Sequence, residues 1–199
     1  MEKLVEIENF LQLSLQDHIY SILMGVNFPW YQVSDVTFDA TVNGFSQMGF
    51  HNTPFLDGIP RSKEWDSLSF FNSLVIEESR KHYGRKRLLL NRFRIGLNVP
   101  STESNRYREY NSPHIDHDPE IATKLKTNLV ALYYVNDAAG DTFIFNETEK
   151  SKQYTIQKRI TPVKGKLVFF DGNYYHASSS SKSHNSRIVI SLNYHEYRH

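Results

Sequence analysis

The feature that most limits what this chain can become is its rhythm after Gly84. Short runs rich in β-branched and aromatic residues follow one another: Leu88 to Val99, Lys126 to Val135, Thr142 to Phe145, Tyr154 to Thr161, Lys166 to Phe170 and Ile188 to Tyr194. Turn residues separate them, among them Ala139-Gly140-Asp141, Lys164-Gly165 and Asp171-Gly172-Asn173. Such spacing predicts an antiparallel sandwich or barrel and argues against βαβ units.

Before Gly84 the pattern is different. Residues 4 to 7 alternate like a short strand, and Ser14 is placed to cap a helix that carries Leu15, Ile19, Ile22 and Leu23 and stops near Gly25. Trp65, Leu68, Phe71, Leu74 and Val75 predict a long amphipathic helix over residues 62 to 83, ended by Gly84 and covering one face of a sheet. The segment FPWYQ, with Pro29 between Phe28 and Trp30, reads as an extended aromatic segment that either packs on a sheet or lines a cleft, and residues 36 to 60 read as irregular strands and loops. The fold class is therefore mainly β (α+β). With 199 residues and 39% hydrophobic content, one core and one domain over residues 1–199 are expected: a helical and irregular part over 1–87, then the β core over 88–195.

Composition narrows the chemistry. The absence of cysteine removes disulfides, thiolate metal sites and a cysteine nucleophile. A formal charge of +1 provides no phosphate-binding footprint, so nucleic acid is not an expected partner. The N-terminus is interrupted by charges, and no run approaches the roughly 20 apolar residues that span a bilayer. A cytoplasmic protein is expected, and oligomeric state carries no signal.

Within the β-rich part, the segment NSPHIDHD holds His114-Ile115-Asp116. Residues two apart on a strand point the same way, so such a pair can aim an imidazole and a carboxylate at one point. A lone His-x-Asp is a chance-level motif. A third group, His176, closes the run GKLVFFDGNYYH, where an apolar strand delivers a turn and then an imidazole. Two imidazoles and one carboxylate match the facial triad of non-haem Fe(II) oxygenases, although zinc suits the same donors. Arg187 follows eleven positions after His176 and opens the next strand; its planar fork suits a carboxylate, though an arginine there can equally start an edge strand facing water. His117 and His184 read as solvent-facing.

Taken together, these residues resemble the Fe(II)- and 2-oxoglutarate-dependent dioxygenases, whose core is a double-stranded β-helix, or jelly roll. LVALYYVNDAAGDTFIF resembles the prolyl-hydroxylase type, and KGKLVFFD resembles the strand before that family's distal histidine. IENFL, FPWY and LNRFRIGLNVP add a likeness to a phage-type branch, which would place the protein in the host cytoplasm.

The resemblance implies a jelly-roll core with flanking N-terminal helices, with Fe(II) as cofactor and 2-oxoglutarate and O₂ as co-substrates. It makes His114, Asp116 and His176 the iron ligands and Arg187 the anchor of the distal 2-oxoglutarate carboxylate. Tyr134 would be a second contact to that carboxylate, or else ordinary core, with Tyr133 facing away. Asn98 would match a co-substrate contact of the nucleic-acid demethylase branch, although Pro100 replaces that branch's aromatic residue and Asn98 can simply cap the turn. The implied reaction is hydroxylation of an unactivated C–H bond in a prolyl or other peptide side chain, or in a small molecule. The alternatives are oxidative nucleobase demethylation, where Asn193 stands in place of that branch's second arginine, and a non-catalytic jelly-roll binding module. Selectivity is expected from the loop at 100–113, the FPWY region and the loop at 178–183.

Overall fold

A computed structural model describes residues 4–34, 48–84, 87–100, 109–116, 128–179 and 185–196. The expected positions His117 and His184, and most of the 100–113 and 178–183 loops, lie outside the described residues.

In chain order the elements are β1 (Val5–Ile7), α1 (Leu13–Met24), β2 (Tyr31–Val33), β3 (Gly49–Leu56), β4 (Ile59–Pro60), α2 (Glu64–Tyr83) and β5 (Leu88–Asn98). There follow β6 (Asn128–Tyr134), β7 (Thr142–Phe145), β8 (Ile156–Ile160), β9 (Leu167–Asp171), β10 (His176–Ser178) and β11 (Arg187–Glu196). Two antiparallel sheets face each other, a large one ordered β1-β9-β6-β11-β5-β3-β2, with β4 paired to β3, and a small one ordered β10-β7-β8. No described helix is long and apolar enough to cross a membrane.

The central strands show why this layering is stable. Every residue of β6 is buried, because both of its faces are covered. Leu129, Ala131 and Tyr133 pack toward the helices together with Leu68, Phe71 and Val75 of α2. Val130, Leu132 and Tyr134 pack instead with Ile144 and Ile160 of the small sheet. The expected division of Tyr133 and Tyr134 between opposite faces holds.

On β5 and β11 the same alternation changes character. Their helix-facing residues Phe93, Ile95, Ile188, Ile190 and Leu192 remain apolar. The opposite face pairs Arg92 with Asn193, Arg94 with Ser191, Gly96 with Val189 and Asn98 with Arg187. Hydrophobic filling of the sandwich therefore stops at Val189, and a polar floor begins.

The helices follow local rules with one correction. In α2, Glu64 and Asp66 occupy the first turn and Arg80, Lys81 and His82 the last, matching the helix dipole, and Gly84 ends it at φ 76°. In α1 the expected Ser14 cap is replaced by Gln12, which makes no side-chain cap bond, so Ser14 lies inside the helix. The first turn is held instead by the core: buried Gln16 donates to the Leu11 carbonyl at 2.8 Å. Phe28 and Trp30 pack on that core, and the Trp30 indole donates to the Leu23 carbonyl at 3.1 Å, so this aromatic segment packs rather than lining a cleft.

Phe71 meets the rings of Phe10, Phe93 and Tyr133 at 6.1, 6.2 and 5.0 Å and joins α2 to the sheet. Phe71→Ala is expected to cost about 3–5 kcal/mol, read as a lowered denaturant midpoint with an unchanged slope.

Candidate metal and 2-oxoglutarate site

The polar floor opens into a cavity of about 100 Å³ lined by His114, Asp116 and His176 as well as by Arg187, Asn98 and Arg94. The candidate metal ligands meet through the backbone. His114 and His176 form an isolated antiparallel bridge, each N–H bonding the other's carbonyl at 3.0 and 2.9 Å. Directly opposed residues project to one side, and the two rings stand 4.7 Å apart. The sequence-based reason for joining His114 to Asp116 is thereby corrected: His114 belongs to a single bridge and Asp116 to a bend, so strand parity does not align them.

Asp116 is placed by the floor instead. Its Oδ2 accepts from Asn193 Nδ2 at 2.8 Å, and Asn193 Oδ1 accepts from Arg92 Nε at 2.9 Å. Arg92 Nη2 lies 2.8 Å from Asp116 Oδ1 without pointing an N–H along the contact, which makes it charge attraction rather than a directed hydrogen bond. Asp116 Oδ1 sits 3.9 Å from His114 Nε2 and 3.8 Å from His176 Nε2. All three donor atoms lie within 4.8 Å of one another.

Both imidazoles are oriented for ligation. Nδ1 of His114 faces the Ser112 carbonyl at 3.1 Å, and Nδ1 of His176 faces the Tyr174 carbonyl at 3.2 Å. A carbonyl only accepts, so each Nδ1 carries the proton and each Nε2 is left with its lone pair toward the cavity. Burial, followed by the neighbouring His176, lowers the His114 pKa to about 4 against the pull of Asp116. Burial alone would raise Asp116, but Arg92 and the two imidazoles outweigh it and hold the carboxyl well below its usual range. A neutral imidazole and an ionised carboxylate are the forms a divalent cation needs. The donor set therefore fits iron or zinc.

At the other end of the floor, Arg187 is buried, and burial pushes its pKa down. Its Nη2 donates to Thr142 Oγ1 at 2.7 Å, its guanidinium carbon lies 5.5 Å from the centre of the Tyr134 ring, and its Nε has no partner. Among the described residues no carboxylate forms an ion pair with it. The Tyr134 hydroxyl, kept protonated by burial, donates to the same Thr142 oxygen at 2.8 Å. With both acceptor positions of Thr142 used, its own proton is left to donate. A buried guanidinium with an unused N–H is costly unless an anion completes it.

All six residues singled out in the sequence are thus at or beside this cavity, with Tyr134 acting through Thr142 rather than lining it. Arg92 and Thr142 carried no sequence signal, because an arginine inside a strand and a threonine opening one are ordinary residues until the sheet brings them together.

Residues 102–195 match the 2OG-Fe(II) oxygenase superfamily. This part of the chain is a 2-oxoglutarate-dependent oxygenase domain. Fe(II), 2-oxoglutarate and O₂ are accordingly its cofactor and co-substrates. No curated protein matches the chain in sequence.

Solved structures share the double-stranded β-helix fold. The epimerase SnoN from nogalamycin biosynthesis, in complex with Fe3+, alpha ketoglutarate and nogalamycin RO, is 11% identical over 98% of this chain and 79% of its own, with a TM-score of 0.65. A prolyl hydroxylase from Trichoplax adhaerens, bound to a peptide fragment of the hypoxia inducible factor oxygen degradation domain, is 14% identical over 98% and 84%, at 0.60. The viral collagen prolyl hydroxylase of Paramecium Bursaria Chlorella virus-1, solved with 2OG, is 16% identical over 98% and 96%, at 0.56, and gives the expected phage-type branch only loose support.

The lowered pKa values of His114 and Asp116 have one sign. Between about pH 6.5 and 4 the unfolded chain takes up a proton that folded His114 refuses, and at lower pH the same holds for Asp116, so stability falls as pH falls. The metal-free protein should lose stability on acidification from pH 6.5 toward 4 in urea titrations, and His114→Gln should flatten that part of the profile.

Proposed function

We propose that the protein is a hydroxylase in which His114, Asp116 and His176 hold Fe(II) and Arg187, with Thr142 and Tyr134 behind it, receives the distal carboxylate of 2-oxoglutarate. The observation that carries this reading is the buried Arg187 guanidinium with an unused Nε, set in the same cavity as the three donors. Asn98, buried and directly opposite Arg187 in the ladder, forms the adjoining wall for the co-substrate.

When bound there, iron supplies the oxidising chemistry: 2-oxoglutarate and O₂ become succinate and CO₂, and the remaining oxygen atom enters a C–H bond of the substrate. Each side chain has a positional task. The His114–His176 bridge fixes two nitrogens, Arg92 and Asn193 fix the carboxylate, and Arg187 turns the co-substrate so that its keto acid end faces the metal. The apolar walls Leu132, Val189 and Ala177 limit stray water. No general base is required, which agrees with a cavity whose only described carboxylate is already engaged by Arg92 and Asn193.

The substrate fits a prolyl or other peptide side chain, or a small molecule; the related folds that bind a peptide and nogalamycin RO support both classes. Nucleobase demethylation is the weaker reading, since Asn193, at the position of that branch's second arginine, is committed to Asp116 and Arg92.

Succinate release with Fe(II) and 2-oxoglutarate tests the assignment. His114→Ala and Asp116→Ala should each abolish it; persistence in both variants would overturn the metal assignment. Arg187→Met should keep Mn(II) binding while raising the 2-oxoglutarate KM by roughly 30-fold or more, the loss expected when one partner of a buried charge pair is truncated. An unchanged KM would remove Arg187 from the co-substrate site.

A further inference from the structure

The small sheet carries the co-substrate end of the cavity on its inner face, and its outer face makes a second set of contacts that the metal and 2-oxoglutarate assignments leave unused. Along β7 the side chains alternate. Thr142 and Ile144 point inward, to Arg187 and to the sandwich core, while Phe143 and Phe145 point outward. The two outward rings are fully buried, together with Ala177 of β10. Tyr110 covers them, its ring 5.4 Å from Phe143 and 4.8 Å from Phe145.

Tyr110 stands four positions before His114, on a segment with no regular structure apart from the single bridge. That bridge consists of two hydrogen bonds, and Asn111 adds a third to the same strand, its N–H donating to the Ser178 carbonyl at 2.8 Å. Pro113, lying between them, has no N–H to give. Backbone bonds of this kind add little net stability, because the same groups bond water when they separate. A segment so held opens locally unless buried apolar contacts restrain it. Four steps of chain span at most about 14 Å, so a ring fixed on β7 restricts where His114 meets β10.

Two neighbouring contacts are weaker anchors. Arg159 donates through Nη1 to Glu109 at 2.7 Å, bonds Asp141 as well, and lies 5.3 Å from the centre of the Phe143 ring. Arg159 and Glu109 are 56% and 51% exposed, and an ion pair in water contributes little. The Asn111 side chain reaches Ser178 Oγ at 3.2 Å, a long hydrogen bond. The Tyr110 ring, seated edge-on and tilted against two buried aromatics, is the stronger restraint.

We propose that Tyr110 is a positioning residue for the metal site: its ring, seated on the outward face of β7, holds the 109–114 segment against β10 and so keeps the His114 nitrogen beside His176 and Asp116. This rests on the metal reading of the site and deepens it. One strand then serves both ends of the cavity, with Thr142 supporting Arg187 from one face and Phe143 and Phe145 supporting His114 from the other.

Hydrogen exchange of the metal-free full chain reads the anchor without any metal. In Tyr110→Ala the amides of His114 and His176, which close the bridge, should exchange roughly tenfold faster or more, as loss of two ring contacts implies, while amides of β6 keep their wild-type rates. Mn(II) affinity reads the consequence. The same variant should bind roughly tenfold more weakly or worse, the usual effect of removing a contact that orients a ligand. Tyr110→Phe keeps the ring and should restore both readouts to within about twofold of wild type. Tyr154→Ala takes away a ring that lies 5.3 Å from Phe145 but outside the ligand segment, and Glu109→Gln removes the ion pair; both should stay within about twofold of wild type. If Tyr110→Ala folds poorly, Tyr110→Leu keeps apolar volume without the ring and should show the same local effect in smaller degree.

Unchanged exchange at His114 and His176 in Tyr110→Ala overturns the proposal, as does acceleration that spreads equally to β6 or an equal loss in Tyr154→Ala. A Mn(II) affinity that survives the faster exchange overturns it too. The metal reading fails separately, through a wild type that binds no Mn(II), and the exchange rates still decide whether Tyr110 holds the bridge.

Discussion

The architecture depends on one constraint: the central strands of the large sheet are covered on both faces, so every residue on them must satisfy one of two environments. Where both environments are apolar, as on β6 and β9, the strands read as continuous hydrophobic runs and weld the helices to the small sheet. On β5 and β11 the helix-facing half obeys the same rule while the other half does not. Arg92, Arg94, Asn98, Arg187, Ser191 and Asn193 would be ruinous in an ordinary core. They are tolerated because α2 and its aromatic partners already secure the far face of these strands.

That division explains how the site is assembled. His114 arrives on a segment with almost no regular structure and is fixed by a two-bond bridge to His176, the first residue of β10. The bridge sets two nitrogens side by side, and the carbonyls of Ser112 and Tyr174 set which nitrogen is free. Asp116 then needs a restraint that does not come from its neighbours in sequence, and the polar floor provides it through Asn193 and Arg92. Precision at the candidate metal site is thus taken from β11 and β5, whose outer faces are locked into the hydrophobic core.

The sequence was legible where periodicity or residue chemistry stood alone. The β rhythm after Gly84 and the long amphipathic helix with its terminal glycine carry signals that do not depend on distant partners, whereas the association of His114, Asp116, His176 and Arg187 was readable from their combined chemistry and the family resemblance. The errors and omissions share a cause. Ser14 was a sound local cap, yet burial of Gln16 against the core starts the helix two residues earlier. His114 and Asp116 do converge, but through a bridge and a two-residue clamp rather than through strand parity. Residues 49–56, with Pro54 among them, form an eight-residue strand because pairing to β5 outweighs weak intrinsic propensity, and a register shift between Asn52 and Phe55 accommodates the proline. Arg92 and Thr142 acquire meaning only through contacts 24 or more positions away, with Asp116 for the one and Arg187 for the other.

The carboxylate clamp also bears on coordination. A ligating carboxylate free to rotate can offer both oxygens to a metal and use up positions that co-substrates need. In Asp116, Oδ2 is already turned to Asn193 Nδ2, while Oδ1 faces the two imidazole nitrogens. Arg92, drawn to the same carboxylate, resists the rotation that would exchange the two oxygens, and its bond to Asn193 ties both restraints into one unit. The arrangement therefore favours a single oxygen from Asp116, and with one nitrogen from each histidine it presents three donors on one side. Such a donor set would suit an iron ion that also has to take a two-point co-substrate and O₂. The polar floor thus holds the candidate ligand carboxylate in place and, by the same contacts, would keep coordination positions open for the reaction.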